Sequence, residues 1–316
     1  MRRRHSVLGF LVVGLLMISM GATAQEKILI GTAPSGGTYY AIGAGVAQIL
    51  NKWAGLNATA QATGGGTQNC RLIEAGEINA ATVAAQQLTL ASKGDKPFGG
   101  KIDLRIGFYM YEDPFEVVVL DESPIRSIYD LKGKKVGVGA MGSGVEGKTK
   151  AIFASYGLSY EDFTPRFVGM AQAIEALKDG MVDAAVVMGA LPTAAIVEIS
   201  LLKKVRILPI EDEMRKKILK ELPFLVPFVI PANTYKNQPA ELNILAENSF
   251  IVFSPKMTDD VAYRFVKAVF EHLDYLKTVH KSAERYSLQK ACAFDLGVPY
   301  HPGAIKYFKE TGVWKR

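Results

Sequence analysis

The chain has 316 residues, of which two are cysteine, and a formal net charge of +6 from 37 basic and 31 acidic side chains. The length suffices for two domains, and two cysteines exclude a disulfide framework. The charge excess is mild, and no basic tract interleaves with aromatic residues, so nucleic acid is excluded as a partner.

The first residues are Met1-Arg-Arg-Arg4, followed by an apolar run from Val7 to Met20 and then Ala22-Thr-Ala24. A basic start, a short apolar core and an A-x-A ending make a secretory signal peptide, with cleavage expected after Ala24 and the mature protein in the periplasm. The apolar run is short for a membrane span, and no later run is long enough for one. An uncleaved anchor is the rival reading. Removing three arginines leaves 34 basic against 31 acidic side chains, about +3. Cys70 and Cys292 are far apart and read as two buried small hydrophobes.

From residue 27 to 111 strands and helices alternate: strands at 27–32, 57–62, 79–85 and 104–111, helices at 38–52, 67–75 and 86–92. This is a run of βαβ units, hence a mostly parallel sheet with helices on both faces. An apolar strand at 115–120 opens a second series, with strands at 134–138, 166–168, 184–188 and 205–210. Its helices fall at 144–156, 171–178 and 192–201, followed by a charged one at 211–222 whose charges read as a solvated face. Pro192 suits a first helical position. Pro223, Pro227 and Pro231 rule out a long helix over 223–238. A strand at 241–253 and a long amphipathic helix at 257–278 follow, and 283–312 reads as helix and turn.

Two α/β series followed by helices and no further sheet predict an inserted topology. Domain I takes 25–115 and 242–316, and domain II takes 116–241. Strands near 115–120 and 242–253 cross between them, leaving a cleft at the strand carboxyl ends, where open α/β folds bind ligands.

Three glycine-rich bends follow strands and open helices: Gly31-Thr-Ala-Pro-Ser-Gly-Gly-Thr-Tyr-Tyr-Ala-Ile-Gly43, Thr63-Gly-Gly-Gly-Thr-Gln-Asn69 and Gly137-Val-Gly-Ala-Met-Gly-Ser-Gly144. Such bends leave backbone N–H groups free at the positive end of a helix dipole, and glycine lets a ligand approach them. The expected result is an anion cradle that needs no lysine or arginine. One of Tyr39 and Tyr40 is expected to touch the ligand. Thr38 and Ser143 read equally as ligand contacts or helix N-caps. Tyr109 and Tyr111 suit either a cleft wall or a packed edge. Gln172, near a helix start, and Ala190 and Leu191, at a strand-to-helix junction, read either as ligand contacts or as structural positions. His301, before Pro302, reads as a structural turn. His272, His280 and His5 form no metal-ligand spacing with it. No nucleophile–base constellation supports an enzyme, and no metal or cofactor is expected.

An ordered set of motifs resembles the TAXI-family solute receptors of tripartite ATP-independent periplasmic (TRAP) transporters. The pieces are Ile30-Gly-Thr with Gly36-Gly-Thr-Tyr-Tyr40, Thr63-Gly-Gly65 with Asn69, and Asp130-Leu-Lys-Gly133 running into Gly137 and Gly142-Ser-Gly144. Leu177-Lys-Asp-Gly180 with Asp183, Gly189-Ala-Leu-Pro-Thr193, Ile230-Pro-Ala with Thr234-Tyr235, and His301-Pro-Gly-Ala-Ile305 with Tyr307 and Glu310 continue it. The resemblance implies a two-crossover, type II-like periplasmic binding protein with a Venus-flytrap cleft. It further implies a non-enzymatic, monomeric receptor that hands a small organic anion, glutamate-like or keto- or dicarboxylate-like, to a TRAP permease. The ligand-binding set it implies is Ser35, Gly36, Gly37, Thr38, Tyr39 and Tyr40; Gly64, Gly65, Gly66, Thr67 and Asn69; Gln86 and Tyr111; Gly142, Ser143, Gly144 and Val145; Gln172, Ala190 and Leu191.

The chain departs from the family pattern at three walls. Gly66 replaces a usual serine and Val145 a usual threonine, and Ala84, Ala85 and Gln86 stand where a Gln-Ser-Asp-like trio is common. A lost hydroxyl facing a polar ligand costs about 1–3 kcal/mol, so a larger or less polar anion is expected. The rivals are a receptor for an ATP-driven transporter or a sensor kinase, an enzyme on the same fold, and a surface protein with no transport role.

Overall fold

A computed structural model describes residues 27–35 and 37–316. The expected signal segment with its cleavage after Ala24, and the expected ligand residue Gly36, lie outside these residues.

The first run is β1 (Lys27–Gly31), α1 (Thr38–Trp53), β2 (Asn57–Gln61), α2 (Gly66–Ala75), β3 (Ala80–Ala84), α3 (Ala85–Lys93) and β4 (Arg105–Leu120). The second is β5 (Lys135–Gly137), α4 (Gly144–Ser155), β6 (Thr164–Arg166), α5 (Met170–Lys178), β7 (Ala184–Met188), α6 (Ala194–Leu202), β8 (Val205–Ile207) and α7 (Asp212–Glu221). Then come β9 (Leu225–Ile230), β10 (Leu242–Phe253), α8 (Asp259–Glu271), α9 (Leu273–Val279) and α10 (Pro302–Glu310). Apolar spacing explains the helices: α1 buries Ile42, Val46, Ile49 and Leu50, one stripe of a 3.6-residue period.

The strands run in the order β2-β1-β3-β10-β4-β7-β5-β6, with β8 against β4 and β9 against β10. Each βαβ run is parallel, as expected, with β1 beside β2 and β3 and β5 beside β6 and β7. The sheet as a whole is mixed rather than mostly parallel, because β4 and β10 run antiparallel to all their neighbours. No crossover helix joins either of them to those neighbours, so nothing imposes a parallel direction.

Several elements differ from the sequence expectation. The strands expected at 104–111 and 115–120 are one strand, β4. Glu112, Asp113 and Pro114 break the apolar run, but Glu112 and Asp113 find partners inside and Pro114 sits opposite Ala246. A strand, β9, occupies the proline-rich stretch. Pro227 is tolerated because, among the described strands, β9 pairs only with β10 and so forms an edge. Pro192 precedes α6 instead of opening it, and Thr193 is the N-cap residue. The strand expected at 166–168 ends at Arg166. The long helix expected over 257–278 breaks at His272 (φ −122°, ψ 31°), whose ring stacks on Trp53 at 4.2 Å.

Buried apolar side chains form two clusters. One draws on residues 28–111 and 250–308 together with Ala190, and the other on residues 115–246. The change from one to the other falls inside β4 and β10, so these two strands are the covalent links between the cores. Cys70 and Cys292 are free and buried. His301 caps α10: its Nδ1 accepts from Gly303 N at 3.2 Å and its Nε2 lies 3.0 Å from Met257 O. Burial lowers its pKa, which fits a neutral ring in a structural turn. Among the described residues no helix is long and apolar enough to cross a membrane.

In the second core Glu116, on β4, is fully buried, and among the described residues no cation is in contact with it. It accepts from Thr193 Oγ1 at 2.6 Å and from Tyr235 OH at 2.7 Å. Burial raises its carboxyl from an ordinary 4.5 to about 7 against these two bonds. A proton held more tightly in the folded chain stabilises it fully below the unfolded pKa, and this is lost as pH rises through the folded one. Between these values the wild type is expected to lose up to about 1.4 kcal/mol per pH unit relative to Glu116→Gln. Urea unfolding of both proteins across that interval measures the difference, and parallel curves would exclude the effect.

Candidate ligand-binding site

The bends after β1, β2 and β5 converge on one cavity of about 570 Å³, joined there by the start of α5 and by the crossover strands. Its walls come from both cores: Thr38, Gly65 and Gln87 on one side, Ser143, Gly144 and Gln172 on the other. The two sides meet closely at its edge. A Cβ on Gly144 would lie 3.2 Å from Gln87 Nε2, and one on Gly189 would lie 3.8 Å from Thr38 Oγ1.

Local sequence explains why helix ends open here. Gly37, Gly65 and Gly169 are the N-cap residues of α1, α2 and α5, and none supplies a side-chain cap. Gly65 holds φ +96° and ψ −166°, a backbone region open to glycine alone. Three dipoles thus direct their positive ends at the cavity. Ser143 does cap its helix, accepting from Glu146 N at 3.2 Å, and also lines the cavity. Thr38 is not a cap, since that position belongs to Gly37. Gln172 Oε1 accepts from Gly169 N at 3.2 Å, so its amide is partly engaged at the start of α5.

Of the residues singled out in the sequence, the cavity gathers Ser35, Gly37, Thr38, Tyr39, Gly64, Gly65, Gly66, Ser143, Gly144, Val145 and Gln172. Nine others lie off its lining. Asn69 is wholly buried and ties strand ends together: its Nδ2 donates to Thr32 O at 2.7 Å and Thr82 O at 2.9 Å, and its Oδ1 accepts from Thr63 Oγ1 at 2.7 Å. Tyr111 is wholly buried between the rings of Tyr39 and Tyr286, and Tyr109 packs on Phe250 and Phe294, so the packed reading holds for both. Ala190 and Leu191 are buried in the two cores. Gly142 is exposed in the turn before Ser143, and Tyr40 and Thr67 are half-buried in the first turns of α1 and α2. Gln86 contributes its backbone N–H, donated to Glu247 Oε1 at 2.6 Å, rather than its side chain to the cavity.

A charged group that sequence reasoning missed also lines the cavity: Asp113 on β4, Glu247 on β10 and Lys148 on α4. Asp113 and Glu247 are directly opposite in the strand register. Lys148 Nζ lies 2.7 Å from Glu247 Oε2 and donates to Gly144 O at 3.0 Å. Lys148 and Glu247 are 4% and 1% exposed, so this is a desolvated ion pair. Burial pulls the Lys148 ammonium down to about 7, opposed by the Asp113 carboxylate. Asp113 Oδ2 accepts from Ser249 Oγ at 2.5 Å and from Tyr39 OH at 3.2 Å. Burial raises Asp113 to about 6 despite these bonds. Burial, then Asp113, raises the Tyr39 phenol, so it stays protonated. Next to Asp113, Glu112 is bound by Arg285 through Nε at 3.0 Å and Nη2 at 2.8 Å. That pairing outweighs burial and keeps Glu112 below the usual carboxylate range. One sequence signal existed: Lys148 shares a helix face with Ile152, and Asp113 and Glu247 interrupt otherwise apolar strands.

A cavity between two α/β cores linked by two antiparallel strands, with helix amino ends around it, defines the mixed α/β fold of periplasmic substrate-binding proteins. The profile of the NMT1-like family matches residues 30–312, and the chain belongs to that family. Among solved structures it is similar to a binding protein component of an ABC phosphonate transporter from Pseudomonas aeruginosa, at 12% identity and a TM-score of 0.56, covering 83% of this chain and 80% of that one. A periplasmic sulfonate-binding protein of a sulfonate ABC transporter from Methylobacillus flagellatus matches at 15% identity and TM-score 0.53, covering 92% and 96%. A TctC solute-binding protein from Polaromonas matches at 18% identity and TM-score 0.50, covering 83% and 87%.

Proposed function

We propose that this chain is a periplasmic solute receptor of the TAXI type that captures a small organic anion in the cavity and delivers it to a TRAP permease. One observation carries the reading: three helix amino ends whose N-cap residue is glycine, from both cores, border a single cavity of about 570 Å³. Each amide bonded to a desolvated carboxylate contributes roughly 1.5–3 kcal/mol, so a few give micromolar affinity or better. In this reading residues 25–115 with 242–316 form one lobe and 116–241 the other. The lobes close about β4 and β10, and ligand affinity sets the closed population. It acts as a binding protein, not an enzyme, and as a monomer.

The cavity wall also carries Ala84, Val145, Met170, Val186 and Met188, which favours an anion with an apolar part. The phosphonate and sulfonate named for two of the similar structures are anions that carry such a part. Those two belong to ABC transporters, and this favours an ATP-driven permease as the second reading. A permease gene beside this one, against an ATPase gene, separates them.

Native mass spectrometry of the protein purified from its own periplasm is expected to show the chain starting at Gln25 with one small anion bound. An empty protein that binds no organic acid in calorimetry would overturn the receptor reading. A serine at Gly66 would restore a hydroxyl to this wall without a clash. Its Cβ would meet Gln87 and Val83 side-chain carbons at 3.5–3.6 Å, ordinary contact. Gly66→Ser is expected to shift preference by about tenfold toward acids bearing a hydroxyl or amino group. Calorimetry on matched acid pairs reads this ratio.

A further inference from the structure

Two buried carboxylates face each other across the crossover strands with one ammonium between the cores to offset them. Glu247 is doubly engaged, by Lys148 Nζ at 2.7 Å and by Gln86 N at 2.6 Å, at the amino end of α3. Asp113, opposite it in the register, has among the described residues only neutral donors in contact, the hydroxyls of Ser249 and Tyr39. With all three groups ionised the cavity lining carries a net negative charge before any anion enters.

We propose that anion capture in this cavity is coupled to uptake of one proton from solvent onto the Asp113 carboxylate, so that the site takes its ligand with no net gain of negative charge. This rests on the receptor reading above. Like charges directly opposite on paired strands repel, and a third negative charge in the same desolvated space raises the repulsion further. Glu247 keeps its charge because it has the lysine and a helix end. Asp113 yields because protonation leaves it able to bond to the same two hydroxyls. The groups facing Asp113 support this order. Lys148 from α4 pairs with Glu247 at 2.7 Å, and burial lowers it to about 7, so it is the second group in this cavity able to exchange a proton near neutral pH, which the Asp113→Asn variant tells apart; Glu112 on its own strand is paired with Arg285. Tyr39 from α1, Tyr111 from β4 and Tyr286 are phenols whose pKa values burial raises, so none is a charged partner. Burial raises the Asp113 carboxyl to about 6, which leaves it a proton to gain at neutral pH when a further negative charge arrives. The proton is therefore taken up on binding.

The probes are hexanesulfonate and hexanoate, both ionised from about pH 6 to about pH 8. Calorimetry near neutral pH in two buffers of different ionisation heat counts the protons. The expected result is net uptake approaching one proton per probe bound, with affinity weakening by at least tenfold from about pH 6 to about pH 8. In Asp113→Asn the uptake is expected to vanish and affinity to become flat with pH. Binding without uptake, or tighter at high pH, would overturn the coupling and leave the receptor reading standing. Uptake undiminished in Asp113→Asn would overturn the assignment to Asp113. Should the variant fail to fold, the wild-type proton count decides. No binding of either probe at any pH would count against the organic-anion receptor itself, and the inference falls with it.

Discussion

Replacing Lys148 by methionine is expected to lower the unfolding free energy by about 3–5 kcal/mol, the loss typical of removing one partner from a buried ion pair. Methionine matches the stem of lysine in length, so packing changes little. The loss comes from Glu247, which is 1% exposed and would stand beside Asp113 with no cation. Two further measurements separate this cause from a general packing defect. Glu247→Gln in the same background keeps an acceptor for Gln86 N and removes the stranded charge, so it is expected to recover most of the loss. Lowering the pH should also narrow the gap between Lys148→Met and wild type, because the stranded acid then takes a proton that the folded chain holds more tightly than the unfolded one. Urea unfolding at two pH values reads both effects. A loss below about 1 kcal/mol, the range of exposed pairs, would mean that Lys148 reaches water.

This ion pair also marks where the sequence stops being readable. Alternating strands and helices were legible because strands such as Ala184–Met188 are apolar on both faces and helices such as α1 carry one apolar stripe. Glycine bends after β1, β2 and β5 were legible as openings at helix ends, and residues from all three reach the cavity. The charged floor was marked only by acids interrupting apolar strands and a lysine on an apolar helix face, which does not say that they meet. A lysine in a helix and an acid in a strand look the same in sequence whether solvated or buried, and only the crossing of β4 and β10 brings residues 113 and 247 opposite each other. Asn69 shows the reverse error. A polar residue in a glycine bend reads as a ligand contact, yet its amide is consumed by Thr32, Thr82 and Thr63 in holding the bend. The bend's shape depends on Asn69, and its surface is left to the glycines.

Gly37→Leu is expected to weaken anion binding by at least about 100-fold, roughly 2.7 kcal/mol, while the chain still folds. Gly37 has φ −87° and ψ 158°, ordinary extended backbone that leucine adopts without strain. A Cβ there would meet only Pro34 O, at 3.3 Å, which asks for a shift of a few tenths of an ångström. The rest of the side chain must then use space beside the uncapped end of α1, where the cavity lies. That bulk keeps a carboxylate from the N–H groups of the first turn, and each such bond lost weakens the complex by about 1.5–3 kcal/mol. Gly31→Leu provides the contrast. Its Cβ would fall 2.6 Å from Ile78 Cδ1 and 2.8 Å from Asn69 Oδ1, so it should destabilise the fold first. Calorimetry with hexanoate and thermal unfolding of both variants give the comparison. Undiminished binding by a folded Gly37→Leu protein would remove the helix end of α1 from the site and the anion cradle with it.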